Sequence, residues 1–74
     1  MRTLGVVQDI TRLGEILVRG ERLQARRGAV FDARKRRIGH IKRVFGPVDS
    51  PYILVIPDDV QNINSLLNQR VFVR

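Results

Sequence analysis

Catalysis by a side chain needs a base beside a nucleophile, or two groups whose proton affinities have been pushed apart. This 74-residue sequence holds few candidates: one histidine, His40, and no cysteine. His40 sits between Gly39 and Ile41-Lys42 in a strand-like run, which suits a structural or surface role. Without cysteine there is neither a thiolate zinc site nor a disulfide. Asp58-Asp59 is an adjacent carboxylate pair, but neighbours in a turn seldom converge on one substrate atom, and a helix cap is the better reading. The glycines are scattered, without the spacing that cradles phosphates. No active site, metal site or cofactor is expected, so the sequence reads as a non-catalytic binding module.

Two segments offer binding chemistry instead. Fourteen Lys+Arg against seven Asp+Glu give a net charge of +7. The stretch from Arg22 to Arg43 holds nine basic residues against a single acid, Asp32. Within it, Arg34, Lys35, Arg36 and Arg37 form a basic tip that could bridge phosphates, with Lys42 and Arg43 nearby. Single-strand binding also draws on aromatic platforms, and Phe31, Phe45, Phe72 and Tyr52 are the only aromatics. Most of these look needed for a core, so the basic residues read as electrostatic glue rather than base readers. The second segment is Phe45-Gly46-Pro47-Val48-Asp49-Ser50-Pro51-Tyr52. Two prolines fix φ, Asp49-Ser50 favours a turn, and Gly46 supplies unusual backbone angles. A stiff loop bearing Phe45, Val48 and Tyr52 loses little entropy on docking and is a hot-spot candidate. The plainer reading is a tight hairpin whose aromatics plug one end of a barrel.

Strands must carry these segments. Leu4, Val6 and Ile10 share one parity, Ile16-Leu17-Val18 follows Gly14-Glu15, and Glu21 to Arg27 reads as a loop. Gly28 to Phe31 starts a third strand, and Asp32 to Arg36 is a hairpin tip. Arg37 to Phe45 is a fourth strand of mixed parity: Ile38 and Val44 fall on one face, Ile41 and Phe45 on the other, which a bulge or bend would reconcile. Tyr52 to Ile56 is a continuous apolar run, as in a strand covered on both sides. Pro57-Asp58-Asp59 ends it, with Asp59 as N-cap of a short helical turn from Val60 to Leu67. Arg70 to Arg74 is the last strand. Six short strands with irregular turns predict an all-β fold, a small closed six-stranded antiparallel barrel, since closure removes exposed edges. The whole chain, 1–74, reads as a single domain.

Length and composition agree. A chain this short buries only about 60% of its unfolded surface. At 43% hydrophobic and 28% charged residues it has the makeup of a globular domain. No apolar run reaches the roughly 18 residues of a membrane span, and the N-terminus lacks a signal-peptide layout. A cytoplasmic location is expected.

The same residues resemble a known family. Leu4-Gly5-Val6-Val7, Ile16-Leu17-Val18, Gly28-Ala29-Val30-Phe31-Asp32, Ile38-Gly39-His40-Ile41-Lys42-Arg43-Val44-Phe45-Gly46-Pro47-Val48 with Ser50-Pro51-Tyr52, and Arg70-Val71-Phe72-Val73 are similar to the Gar subunit of box H/ACA RNA-guided pseudouridylation particles. Phe-Gly-Pro-Val followed by Pro-Tyr is the most specific element. The Val-Phe-Asp hairpin with Ile-Gly also occurs in PRC-barrel domains of ribosome assembly. The family often has glycine before its last strand, where this chain has Leu67-Asn68-Gln69, and Asn tolerates a left-handed turn. Lacking Gly/Arg-rich tails, the chain resembles an archaeal, core-only form. The resemblance implies a six-stranded barrel, monomeric outside the complex, that docks on the guide-dependent pseudouridine synthase and aids substrate RNA turnover in a particle containing H/ACA guide RNA. It marks Phe45, Gly46, Pro47, Val48, Pro51 and Tyr52 as docking residues, with Ile41 and Val44 as neighbours. The alternatives are an autonomous RNA-binding barrel and a PRC-barrel-type domain.

Overall fold

The computed structural model describes residues 1–21, 26–59 and 61–74. The strands are β1 (Arg2–Ile10), β2 (Ile16–Gly20), β3 (Ala29–Phe31), β4 (Arg37–Phe45), β5 (Tyr52–Pro57) and β6 (Arg70–Val73), with one 3-10 turn at Ile63–Leu66. All pairings are antiparallel. They close into a six-stranded barrel in the order β1-β2-β5-β4-β3-β6. In that ring β5 stands opposite β6. Among the described residues no helix is long and apolar enough to cross a membrane.

The interior is aliphatic. Leu4, Val7, Ile16, Val18, Val30, Ile41, Ile53, Val55, Val71 and Val73 form one buried cluster, with no aromatic among them. Two features of the inward set depart from strict alternation. On β1 the buried positions are Leu4 and Val7, with Ile10 packed against the cluster, a spacing of three rather than two. Val6 points outward instead, half-buried, opposite Arg19 and Arg70. The cause is two breaks in register, which leave Leu4 without a partner on β6 and Gln8 without one on β2. Each extra residue turns the strand by one parity step. On β4 the same device places Ile41 opposite Val55 and Val44 opposite Ile53, with Lys42 as the extra residue. The expected bulge in the mixed-parity strand is therefore present, and it brings Ile41 and Val44 to one face.

β5 differs from its expected environment. Ile53 and Val55 are buried, whereas Tyr52, Leu54 and Ile56 point to the outer wall and are half-buried. A barrel wall has one packed side, and a continuous apolar run on it leaves apolar residues facing out.

The segment after β5 closes one end through Ile63, Leu66 and Leu67, which pack against the core. Its helical turn is shorter than expected: four residues of 3-10 helix, with Asn62 at φ 58 in the capping position and no side-chain cap. Asp59 accepts a hydrogen bond from the Gln61 N–H (2.9 Å) and so holds a local turn rather than capping the helix. Val60, where the turn was expected to begin, and most of the Glu21–Arg27 loop lie outside the described residues. Asn68 adopts φ 66 and donates its N–H to Val7 O (2.8 Å), making the left-handed turn into β6 without a glycine.

Candidate docking surface

Antiparallel register carries the Phe45–Tyr52 segment to one end of the outer wall formed by β2, β5 and β4. Phe45 on β4 lies opposite Tyr52 on β5, which lies opposite Arg19 on β2. The two rings stack with centroids 5.7 Å apart and planes 22° from parallel. The Arg19 guanidinium sits 5.4 Å from the Tyr52 centroid and donates to the Tyr52 hydroxyl oxygen (3.0 Å). The Arg43 guanidinium sits 5.2 Å from the Phe45 centroid. Each guanidinium meets the electron-rich face of a ring, an attraction of about 0.5–1 kcal/mol at an exposed site. Phe45 remains 37% exposed and Val48 on the adjoining loop 70% exposed.

The loop is shaped as its residues dictate. Gly46 takes φ 89, and the Ser50 N–H donates to Pro47 O (3.2 Å) across a turn. Pro51 is fully buried, and its carbonyl accepts the Gly20 N–H (2.7 Å), tying the loop to β2. Phe45, Gly46, Pro47, Val48 and Tyr52 thus reach the surface together. Ile41 does not: it is buried in the barrel core, as the bulge at Lys42 requires, and it has no access to a partner. Val44 is half-buried against the same core, and Pro51 shapes the loop from beneath rather than touching a partner. The aromatics are not a plug for the barrel end. They stand on its outer wall.

Farther along the same wall, Lys42 reaches over β5 to Glu15 at the start of β2 (2.6 Å). Among the described residues Glu15 is the only buried charged one, and this pairing satisfies it. Lys42 is thereby committed to an intramolecular bridge. The basic tip at the other end of the barrel is also partly spent. Arg36 pairs with Asp32 (3.4 Å) and Arg37 with Asp58 (3.0 Å), beside a cavity of about 320 Å³ that Asp59 also lines. Arg34 and Lys35 are exposed, and among the described residues neither has a carboxylate within ion-pair distance. Asp32 organises the tip: its Oδ1 accepts the N–H groups of Arg34 (2.9 Å) and Arg36 (3.0 Å). Desolvation opposes ionisation of this carboxyl, but those two backbone bonds and the Arg36 guanidinium outweigh it and hold its pKa below the ordinary value.

No local signal pointed to Arg19. It lies 33 residues from Tyr52, and only the β2–β5 register brings them together. His40 is exposed on the outer face of β4, opposite Ile56 and Ala29. Among the described residues no three His, Asp or Glu side chains gather into a set that could hold a metal ion.

No protein-family model matches the sequence. An uncharacterized protein from Methanothermobacter thermautotrophicus is 32% identical over 69 residues, covering 93% of this chain and 75% of that protein. At that identity over nearly the full barrel, the chain belongs to the same family as this Methanothermobacter protein.

Proposed function

We propose that the chain is a non-catalytic docking subunit that binds another protein through the Arg19–Tyr52–Phe45–Arg43 wall and the Pro47–Val48 turn. The observation that carries the reading is the aromatic stack of Phe45 and Tyr52, flanked by two guanidiniums on the outer wall beside the Gly46–Pro51 turn. Tyr and Arg are the residue types that dominate binding hot spots, and a loop ordered in advance loses little entropy on association. A nucleic-acid base would find this wall less suitable. Each ring is already stacked on the other and carries a guanidinium, so a base would have to displace one of them.

The sequence resemblance to the Gar subunit names the partner within this reading: the catalytic subunit of the guide-dependent pseudouridine synthase. The chain would then act in the H/ACA particle as an accessory that promotes substrate RNA handling during rRNA modification. Calorimetric titration of the chain into the purified synthase, with and without guide RNA, tests both parts. Binding that does not need RNA is expected, and it should be lost in a folded Val48→Asp/Tyr52→Ala variant. Binding retained by that variant would remove the wall from the interface. Absence of binding to the synthase would remove the partner.

A further inference from the structure

On the side of the barrel opposite the docking wall, the β3–β6 seam is registered through a single pair, Phe31 with Phe72. Beside that pair the strands part and leave a cleft of about 240 Å³ lined by Arg27, Gly28, Ala29, Phe31, Val73 and Arg74. The Arg74 guanidinium lies 5.0 Å from the Phe31 centroid, and the Arg74 carbonyl accepts a bond from the Arg2 guanidinium (2.9 Å). Arg27 has no carboxylate within ion-pair distance among the described residues, and no Asp or Glu lines the cleft. The contrast is with the cavity at the basic tip, where three aspartates accompany two arginines.

We infer that this seam cleft is a contact site for the phosphodiester backbone of a single-stranded nucleic acid, held by Arg27 and Arg74. Guanidinium forks match phosphate oxygens, and here no Asp or Glu side chain competes for them, on a chain of net charge +7. The two large hydrophobic side chains of the lining are covered: Phe31 is 7% exposed beneath Arg74, and Val73 is 3% exposed. An incoming partner therefore meets the two guanidiniums with their aliphatic stems and backbone, and no large hydrophobic side chain. A protein interface needs an apolar centre, whereas a phosphate backbone does not. With Phe31 covered, base identity should matter little. Because β6 faces away from β5 in the ring, a strand held here leaves the docking wall free, and the barrel can hold a protein and a nucleic acid at once.

Fluorescence anisotropy with labelled oligouridine and oligoadenosine RNAs of about 12 nucleotides tests the site, alongside the matching DNAs. The salt should be about 0.15 M, where distant exposed charges are screened. The wild-type chain should bind the RNAs alike. Arg27→Glu/Arg74→Glu should weaken binding about tenfold or more and lower the salt slope by about two. Arg34→Glu/Lys35→Glu, an equal charge change at the tip, should weaken it less than about threefold. Should the double cleft variant unfold, Arg27→Glu alone leaves Arg74 on Phe31 and should still weaken binding by about threefold or more. Phe45→Ala/Tyr52→Ala should bind RNA as the wild type does, which separates this site from the docking wall. RNA and DNA binding with comparable affinity would fit backbone contact. Four results would overturn the proposal: no nucleic-acid binding by the wild type, equal losses at tip and cleft, loss in the aromatic variant, or equal binding of polyglutamate of matched charge.

Discussion

Asp32 and Lys35 show how single residues set the geometry of the basic tip. The turn at Asp32–Arg36 repeats the one at Thr11–Glu15. In each, the first residue's N–H donates to the fifth residue's carbonyl, at 2.9 and 2.8 Å. In each, a side-chain oxygen of the first accepts the N–H of the fifth, at 3.0 Å. The fourth position is left-handed in both, Gly14 at φ 79 and Lys35 at φ 66. Lysine carries a Cβ penalty there that glycine avoids, partly offset by glycine's freer unfolded chain. Lys35→Gly should therefore raise unfolding free energy by about 0.5–1 kcal/mol in urea titration. Asp32 adds a pH dependence. Its folded pKa is lowered, so its ionised form stabilises the folded state fully above the ordinary carboxylate pKa, and that contribution disappears as pH falls through the lowered value. Asp32→Asn keeps an acceptor oxygen and removes the charge. Its melting temperature should fall below wild type at neutral pH, and the gap should close on acidification below the carboxylate range.

At the scale of strands, glycine and bulges decide which way each residue faces. A Cβ added to Gly39 would lie 2.1 Å from Ile56 O, and one added to Gly5 would lie 2.2 Å from Arg19 O. Both distances fall on the backbone of the neighbouring strand, which no rotamer change can relieve. These glycines mark points where the wall bends and two backbones close on each other. Gly39→Ala should cost about 2–3 kcal/mol in chemical denaturation. A smaller effect would mean that β4 and β5 can separate locally. The β4 bulge at Lys42 matters equally for the docking wall. It turns Ile41 and Val44 inward and leaves Phe45 outward beside Tyr52.

The molecule as a whole depends on a thin aliphatic interior. With an extent of 31 × 26 × 19 Å and ten residues in the buried cluster, each member is a large share of the core. Ile53→Ala should cost about 2–4 kcal/mol. Total stability in domains of this size lies near the low end of the usual 5–15 kcal/mol. Heating followed by circular dichroism should therefore show a melting temperature lowered by about 10 °C or more. Phe45 and Tyr52 stand on the outer wall, which frees them for contact. Each meets a guanidinium there, Arg43 and Arg19 in turn.

Much of this was legible from the residues in order. Turn chemistry at Gly14, Asp32 and Gly46-to-Pro51, with short apolar runs between, was enough for six strands and for closure, because these signals are local and the edge problem has few solutions at this length. The turn between Phe45 and Tyr52 was legible for the same reason. The strict alternation read into β1 and the core role read into most of the aromatics were not correct, since of the four only Phe31 is buried. Of the basic tip, Arg36 and Arg37 are paired with acids. Bulges re-aim side chains only in response to the neighbouring strand, so the inward set of Leu4, Val7 and Ile10 follows from register. The charge pairings of Arg37 with Asp58 and Lys42 with Glu15, and the meeting of Arg19 with Tyr52, join residues far apart in the chain. Sequence alone determined what each short segment prefers. Tertiary structure decided which of those segments face one another, because a closed barrel fixes all strand registers together.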